Sequence, residues 1–557
     1  MTAEPTSFTN IAAHLPEMAR LQPDTTALFC PVGRNPDGSP RYTCTSYRQL
    51  DNESDRIAHA LVSLGIVRGV RTVLMVPPSE EFFALTFALF KVGAIPILID
   101  PGMGIKNLKV CIAEAEPTAF VGIPKAHLAR CLLGWGKQTI KILLTIGSLR
   151  LWGGTTLSST LATIPTPRPY TMAATASDET AAILFTSGST GVPKGAIYSH
   201  GNFSAQVAAL RDLYKIQPGE IDLPTFPLFA LFAPALGMTS ILPEMDFTRP
   251  ALVDPRMIIT AIETFQITSM FGSPALINRV SLYGREQGIK LPSLKRVISA
   301  GAPVPATVLE RFATMLASPA QIFTPYGATE ALPVCSIGST EILGETRILT
   351  EQGRGVCIGR PVAGIELEII AISDEPIPCW DDALKVRPGE IGEIAVKGAQ
   401  VTRGYHNRPT STALAKIVDP AGGFWHRMGD LGYRDEKGRI WFCGRKSHRV
   451  VTENGPLFTI PCEGIFNTHP AVYRTALVGI GPVGSQRPVL CVELEAGIAA
   501  TQQGAIAAEL RVLGQQHPQT QSIATILFHP AFPVDIRHNA KIFREKLALW
   551  AATQVAK

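Results

Sequence analysis

No two of the ten cysteines stand in a C-x-x-C spacing; they are scattered from Cys30 to Cys491. That excludes a sequence-readable zinc knuckle or disulfide framework and reads as reduced, mostly buried thiols of a cytoplasmic protein. Charge is equally unclustered. Charged residues make up 17% and the net charge is +5, with no basic run, which fits a small anionic substrate and argues against nucleic acid as partner. Residues 1–10 hold no basic segment followed by an apolar one, so no signal peptide is expected. One stretch, 223–243, lacks charge over a length that could cross a bilayer, but Pro224, Pro227 and Pro234 would break the helix a lipid-exposed span requires. The expectation is a buried, irregular pocket wall and no transmembrane segment.

What is present is a composition able to build several cores: 557 residues, 46% hydrophobic, predict about three or four packed units. Residues 185–195, FTSGSTGVPKG, place three glycines, four hydroxyls and one lysine within eleven positions after an apolar run. Backbone amides on such a turn suit an anion, so the stretch reads as a phosphate-binding loop. It is not a P-loop: Pro193 stands where the second glycine of G-x-x-x-x-G-K-[ST] belongs, and Gly195 replaces the hydroxyl.

Around this loop the pattern alternates. Helical spacing is read over 8–28, 47–64, 81–92 and 202–214, and apolar strands over 73–76, 95–99, 118–121, 140–144, 269–271 and 296–299. Residues 155–177, rich in Pro, Ser and Thr, read as a surface connector. The fold class is therefore α/β: a large N-terminal domain, 1–444, of parallel-type sheets covered by helices, with a small β-barrel-like part suggested by short strands at 366–370, 392–396 and 438–442. A small mobile αβ domain, 445–557, follows, with strands at 472–480, 489–493 and 523–528 and a helix at 506–513. Ligands of open α/β sheets sit beyond the carboxyl ends of strands, which makes SAGAP at 299–303 and TPYGATEA at 324–331 candidate site turns.

The ordered set FTSGSTGVPKG, YGATEA (326–331), MGDLGY (428–433), GRKSHR (444–449) and RHNAKIFR (537–544) resembles the motifs of the adenylate-forming superfamily of acyl-CoA synthetases, peptide-synthetase adenylation domains and luciferases. The resemblance implies an ATP-dependent, AMP-forming ligase using ATP and Mg²⁺. It implies that Thr186, Ser187, Gly188, Ser189, Thr190, Gly191 and Lys194 hold the leaving pyrophosphate, and that Glu330 and Thr186 hold Mg²⁺. Gly301, Ala302, Pro303, Tyr326, Gly327, Ala328 and Thr329 would surround the adenine, with Tyr326 stacked on it. Asp430 would accept from the ribose hydroxyls, Arg445 would hold ribose or phosphate, and Lys541 would reach the α-phosphate and the attacking carboxylate. Fixed cations and donors meet the charge that collects in that transition state.

Two departures narrow the choice. Ala230 stands where many acyl-CoA synthetases carry histidine, and with Phe226, Phe229, Leu231, Phe232, Leu236 and Met238 it implies a large apolar cavity for long alkyl chains. After the hinge, 448–458 has an Asn454-Gly455 turn but no lysine of the hairpin that CoA-using relatives carry, and Ser447 occupies the hinge position. With these features the chain looks most like the β-lactone synthetases of olefin biosynthesis, which activate a 2-alkyl-3-hydroxy fatty acid and let its own 3-hydroxyl close the ring, so that no thiol acceptor is needed. The alternatives are a long-chain acyl-CoA or acyl-AMP ligase and an inactive acyl-binding protein of the same fold. Partners implied are the long-chain 3-hydroxy acid, with other enzymes of the same pathway as candidates. His448, near the hinge, reads as an exposed bystander.

Overall fold

The computed structural model describes residues 9–164, 168–186, 193–534 and 542–556. Its first sheet runs in the order Thr155–Thr156, Ile142–Thr145, Ala119–Gly122, Arg71–Met75, Ile95–Ile99, Thr180–Thr186, Lys194–Ser199. All neighbours are parallel except the last pair, an antiparallel hairpin in which Thr186 faces Lys194. The second sheet runs Gln321–Phe323, Arg296–Ile298, Ser269–Phe271, Ile221–Pro224, Thr239–Ile241, Thr26–Arg34, Pro40–Ser46 and is likewise parallel up to its terminal hairpin. Burial on both faces explains the short, almost continuous apolar runs that mark these strands.

Helices fill the faces. Tyr47–Ser63 begins at a reciprocal cap, in which the Gln49 N–H donates to Ser46 Oγ and the Ser46 N–H donates to the Gln49 side chain, and it buries Leu50, Ile57 and Leu61. It packs against Glu80–Lys91, a helix apolar almost all round whose residues Phe82 to Lys91 are buried. Lys91, 2% exposed, is tolerated there because Asp51 and Asp55 of the neighbouring helix each lie 2.6 Å from its Nζ.

The third sheet is antiparallel and eight-stranded, running from Tyr326–Ala328 through Ala331–Ser336, Val356–Pro361, Ile440–Arg445, Phe424–Arg434 and Gly392–Gly398 to Ile365–Ile370, with Lys416–Val418 beside Phe424–Arg434. β structure lies where the short strands were expected, and among the described residues its strand order runs from Tyr326–Ala328 to Ile365–Ile370. After Arg445 come the hairpin Val450–Thr452 and Gly455–Leu457 and a three-stranded sheet of Val472–Ile480, Arg487–Leu494 and Thr525–Phe528. Helices Thr459–Phe466, Gln503–Gln515 and Arg544–Val555 accompany this sheet.

Two local readings change. The helical spacing over 8–28 is helical only from a 3-10 turn at Ile11–Ala13 through the α-helix His14–Leu21, and by Thr26 the chain is already a strand, because Leu28 and Phe29 pair with Ser240 and Ile241 in the second sheet. The connector 155–177 contains a short edge strand, Thr155–Thr156, and a helix, Leu157–Leu161, nucleated by a Thr156–Ser159 capping box whose residue types look loop-like in sequence. Among the described residues no helix is long and apolar enough to cross a membrane, and 223–243 folds into a strand, two short helices, the first opening at Pro227 and the second containing Pro234, and a second strand.

Candidate active site

The carboxyl ends of the parallel strands open on one cavity of about 810 Å³. Leu184 and Lys194 reach it from the first sheet, Phe271 and Gly301 from the second, and Glu330, His426 and Arg445 from the third. Gly301 has φ +99°, a conformation open to glycine as the chain turns off strand Arg296–Ile298.

One end of the cavity is polar. Tyr405 donates from its hydroxyl to Glu330 Oε1 at 2.6 Å, and Lys194 Nζ stands 5.1 Å from the centre of the Tyr405 ring. The tyrosine therefore aims the carboxylate and flanks the lysine, and burial beside Glu330 pushes its own hydroxyl well above the ordinary range. Tyr198, buried, donates to the carbonyl of Thr329, which pins the residue before Glu330. Lys416 donates to the Thr402 carbonyl, and burial pushes its ammonium down to about 7. His426 lies 3.2 Å from the Ala415 carbonyl through Nδ1; burial, aided by Lys416, holds it far below the usual histidine range.

A second polar group lies just behind this wall. Tyr326 donates to Asp430 Oδ2 at 2.6 Å, while Asp430 Oδ1 stands 3.0 Å from Arg445 Nη1, close enough for an ion pair yet without a hydrogen bond. Asp430 and Arg445 face each other in register on neighbouring strands of the third sheet. Burial raises the Asp430 carboxyl against the pull of Arg445, and Asp430 in turn raises the guanidinium. Next to it, Lys446 donates to the Ser373 carbonyl at 2.7 Å and pairs with Glu393, itself buried against Arg427, so the residue before Ser447 is tied to the third sheet.

The remaining cavity is apolar and has two aromatic walls. On one, Phe229 lies 5.5 Å from Phe226, 6.4 Å from Phe232 and 4.4 Å from Phe271, ring centre to ring centre. On the other, Phe203 lies 5.8 Å from Phe90 and 4.6 Å from Tyr198. The first wall was legible as the proline-broken apolar stretch. The second was not, because Phe87 and Phe90 belong to a helix more than a hundred residues before it and read as ordinary core.

The residues expected from sequence fall into three groups. Glu330, Lys194, Gly301, Gly327, Ala328, Thr329, Arg445, Phe226, Phe229, Leu231 and Phe232 all line the cavity. Tyr326 and Asp430 lie together behind the wall, Thr186 ends its strand opposite Lys194, and Ala302 and Pro303 sit off the lining, with Pro303 exposed. Leu236 and Met238 face a smaller cavity of about 70 Å³, and Ala230 is fully buried in the core at the end of a helical turn, so no side chain at 230 gates the large cavity. Ser187, Gly188, Ser189, Thr190, Gly191 and Lys541 lie outside the described residues. His448 is no exposed bystander: its side chain is 10% exposed, it meets Glu545 at 3.2 Å, and burial pushes it down to about 4. Tyr405, Tyr198 and His426 carry no local motif; only the packing of distant strands brings them to the cavity.

The profile described as AMP-binding enzyme matches residues 15–406. The chain belongs to that family. This AMP-binding enzyme is 52% identical to an olefin β-lactone synthetase of Xanthomonas campestris pv. campestris over 99% of its own length and 98% of the relative's. It is 50% identical to one of Stenotrophomonas maltophilia over 98% and 99%. Among solved structures, the amide bond synthetase McbA of Marinactinospora thermotolerans has TM-score 0.79 at 22% identity, covering 97% of this chain and 99% of that one. ATP-bound MatB of Rhodopseudomonas palustris has TM-score 0.77 at 20% identity, covering 99% and 100%. At such identity these two structures establish the fold of the AMP-binding enzyme, which is α/β as read from the alternation.

Proposed function

We propose that this AMP-binding enzyme activates a 2-alkyl-3-hydroxy fatty acid with ATP as the acyl-adenylate and closes it to a β-lactone, releasing pyrophosphate and AMP, in long-chain olefin formation. The observation that carries the reading is near-full-length identity above 50% to an olefin β-lactone synthetase, on a chain whose large apolar cavity runs into a polar corner.

The residues in and just behind that corner fit the nucleotide and its cation. Asp430 keeps a buried acceptor oxygen with no hydrogen-bond donor, which suits ribose hydroxyls, and Arg445 beside it suits a phosphate or ribose oxygen. Glu330 faces the cavity as a single carboxylate, a donor set that suits a hard cation sharing phosphate oxygens. Bound by Glu330 and Thr186, Mg²⁺ would neutralise charge on the departing pyrophosphate. Lys194 and the loop 187–191 would hold that leaving group, and Lys541, carried by the unit we place at 445–557, would meet the α-phosphate and the carboxylate.

In the first half-reaction a carboxylate oxygen forms a bond to the α-phosphorus and the bond to pyrophosphate breaks. In the second, the substrate's 3-hydroxyl oxygen bonds to its own carbonyl carbon, the acyl–phosphate bond breaks, AMP leaves and the hydroxyl proton is released. Holding both groups in one molecule makes that attack unimolecular and offsets part of the ring strain. The apolar walls would bury the alkyl chains at about 0.8 kcal/mol per methylene.

Incubation with a 2-alkyl-3-hydroxy acid and Mg-ATP, without CoA, should yield the β-lactone by mass spectrometry. A product that appears only as the thioester, and only with CoA, would replace this reading with a long-chain acyl-CoA ligase.

A further inference from the structure

Between the two aromatic walls the cavity has one buried amide. Gln206, 2% exposed, lies on helix His200–Tyr214 one turn beyond Phe203, and it borders both the large cavity and the smaller one behind Phe229 and Phe232. Its Nε2 donates to Tyr198 Oη at 3.4 Å. That orientation is set by the network. The single Tyr198 hydroxyl proton is committed to the Thr329 carbonyl, so the tyrosine oxygen can only accept, and the part of Gln206 facing it must be the NH₂. Gln206 Oε1 is thereby left as an acceptor, and no donor among the described residues meets it. Because Gln206 borders the cavity and Oε1 meets no donor among those residues, that oxygen is open to a hydrogen supplied from the cavity.

The position of this oxygen says what the donor is. The chain Gln206–Tyr198–Thr329 ends one residue before Glu330, so the amide lies at the head of the apolar cavity next to the polar corner. An acid lying along the aromatic walls with its carboxylate at that corner presents there the substituents of its first few carbons. An unbranched, unsubstituted acyl chain would leave Oε1 unpaired; an acid with a hydroxyl close to the carboxyl would satisfy it.

We propose that Gln206 is a specificity-determining residue that accepts a hydrogen bond from the 3-hydroxyl of the substrate and discriminates against acids lacking it. This rests on the hydroxy-acid reading above and adds the residue that reads the hydroxyl. Sites built to pair a buried polar group reject the analogue that cannot pair it far more strongly than apolar pockets reject a missing methylene.

The test compares pyrophosphate release from a 2-alkyl-3-hydroxy acid and from its 3-deoxy counterpart with the same chains. Wild-type protein should prefer the hydroxy acid by at least about tenfold in kcat/KM. In Gln206→Met, which keeps the side-chain length and removes the acceptor, the ratio should collapse towards one, whereas Gln206→Glu, which keeps an acceptor oxygen, should retain a preference. A merely structural amide would lower both acids together and leave the ratio untouched; an unchanged ratio in Gln206→Met overturns the proposal. Equal use of the two acids by wild-type protein also overturns it, independently of whether any variant folds, and leaves acid activation standing. Pyrophosphate release from neither acid overturns the functional reading and this proposal with it.

Discussion

Replacing Tyr405 by phenylalanine removes one oxygen from the polar corner and leaves the ring in place. The lost bond is the 2.6 Å donation to Glu330 Oε1, while Lys194 keeps the ring face 5.1 Å away. A hydrogen bond to an ionised group contributes roughly 1.5–3 kcal/mol. Both partners border an open cavity, so the lower end applies, and about 1.5 kcal/mol converts to a loss of about tenfold in kcat/KM for Mg-ATP. The carboxylate, no longer aimed, should also need more Mg²⁺ for half-maximal rate. Steady-state pyrophosphate release with Mg²⁺ titrated at saturating acid measures both. A variant within about twofold of wild type, or one with a faster rate, would show that the hydroxyl does not position Glu330 for the reaction.

In Lys541→Ala the adenylation half-reaction should fall by about a hundredfold or more, since one preorganised transition-state contact contributes roughly 3–4 kcal/mol; ATP–pyrophosphate exchange at the wild-type rate would mean another group meets the α-phosphate. Lys91→Met leaves Asp51 and Asp55 together without their cation beneath a buried helix, and should lower stability by about 3–5 kcal/mol, read as an earlier urea or thermal transition; an unmoved transition would refute the ion triad's role. Acid sensitivity follows from two fully buried histidines. Burial pushes His127 and His200 down to about 4, and His200 Nδ1 accepts from the Ile11 N–H, a bond that protonation would break. The unfolded chain takes up these protons near pH 6.5 while the folded chain does not, so stability should fall as pH drops from about 6.5 towards 4 and these two groups should add nothing further below that. Thermal midpoints across this range should show the slope, and His200→Gln should flatten it; an equal slope in the variant would exclude His200.

Where sequence reading succeeded, the cause was local. The helix Tyr47–Ser63 carries both its period and its cap in contiguous residues. Sequence is less informative where local pattern and long-range packing compete. Ala230 occupies a family position in an apolar run, yet a single helical turn rotates it into the core, while Leu236 and Met238 fall into a separate small cavity. A proline-broken stretch has no constant period, so which of its residues face a ligand cannot be counted off along the chain.

The α/β class, the family motifs and one apolar wall could be read from the chain alone, because each is written in neighbouring residues through period or motif. Only the tertiary structure decided that Tyr405 aims Glu330, that Tyr198 and Gln206 form a polar relay at the head of the cavity, and that Phe90 and Phe203 supply its other wall. Those groups come from segments up to some three hundred positions apart, and the register of three sheets, each fixed by burial on its own faces, is what sets them side by side.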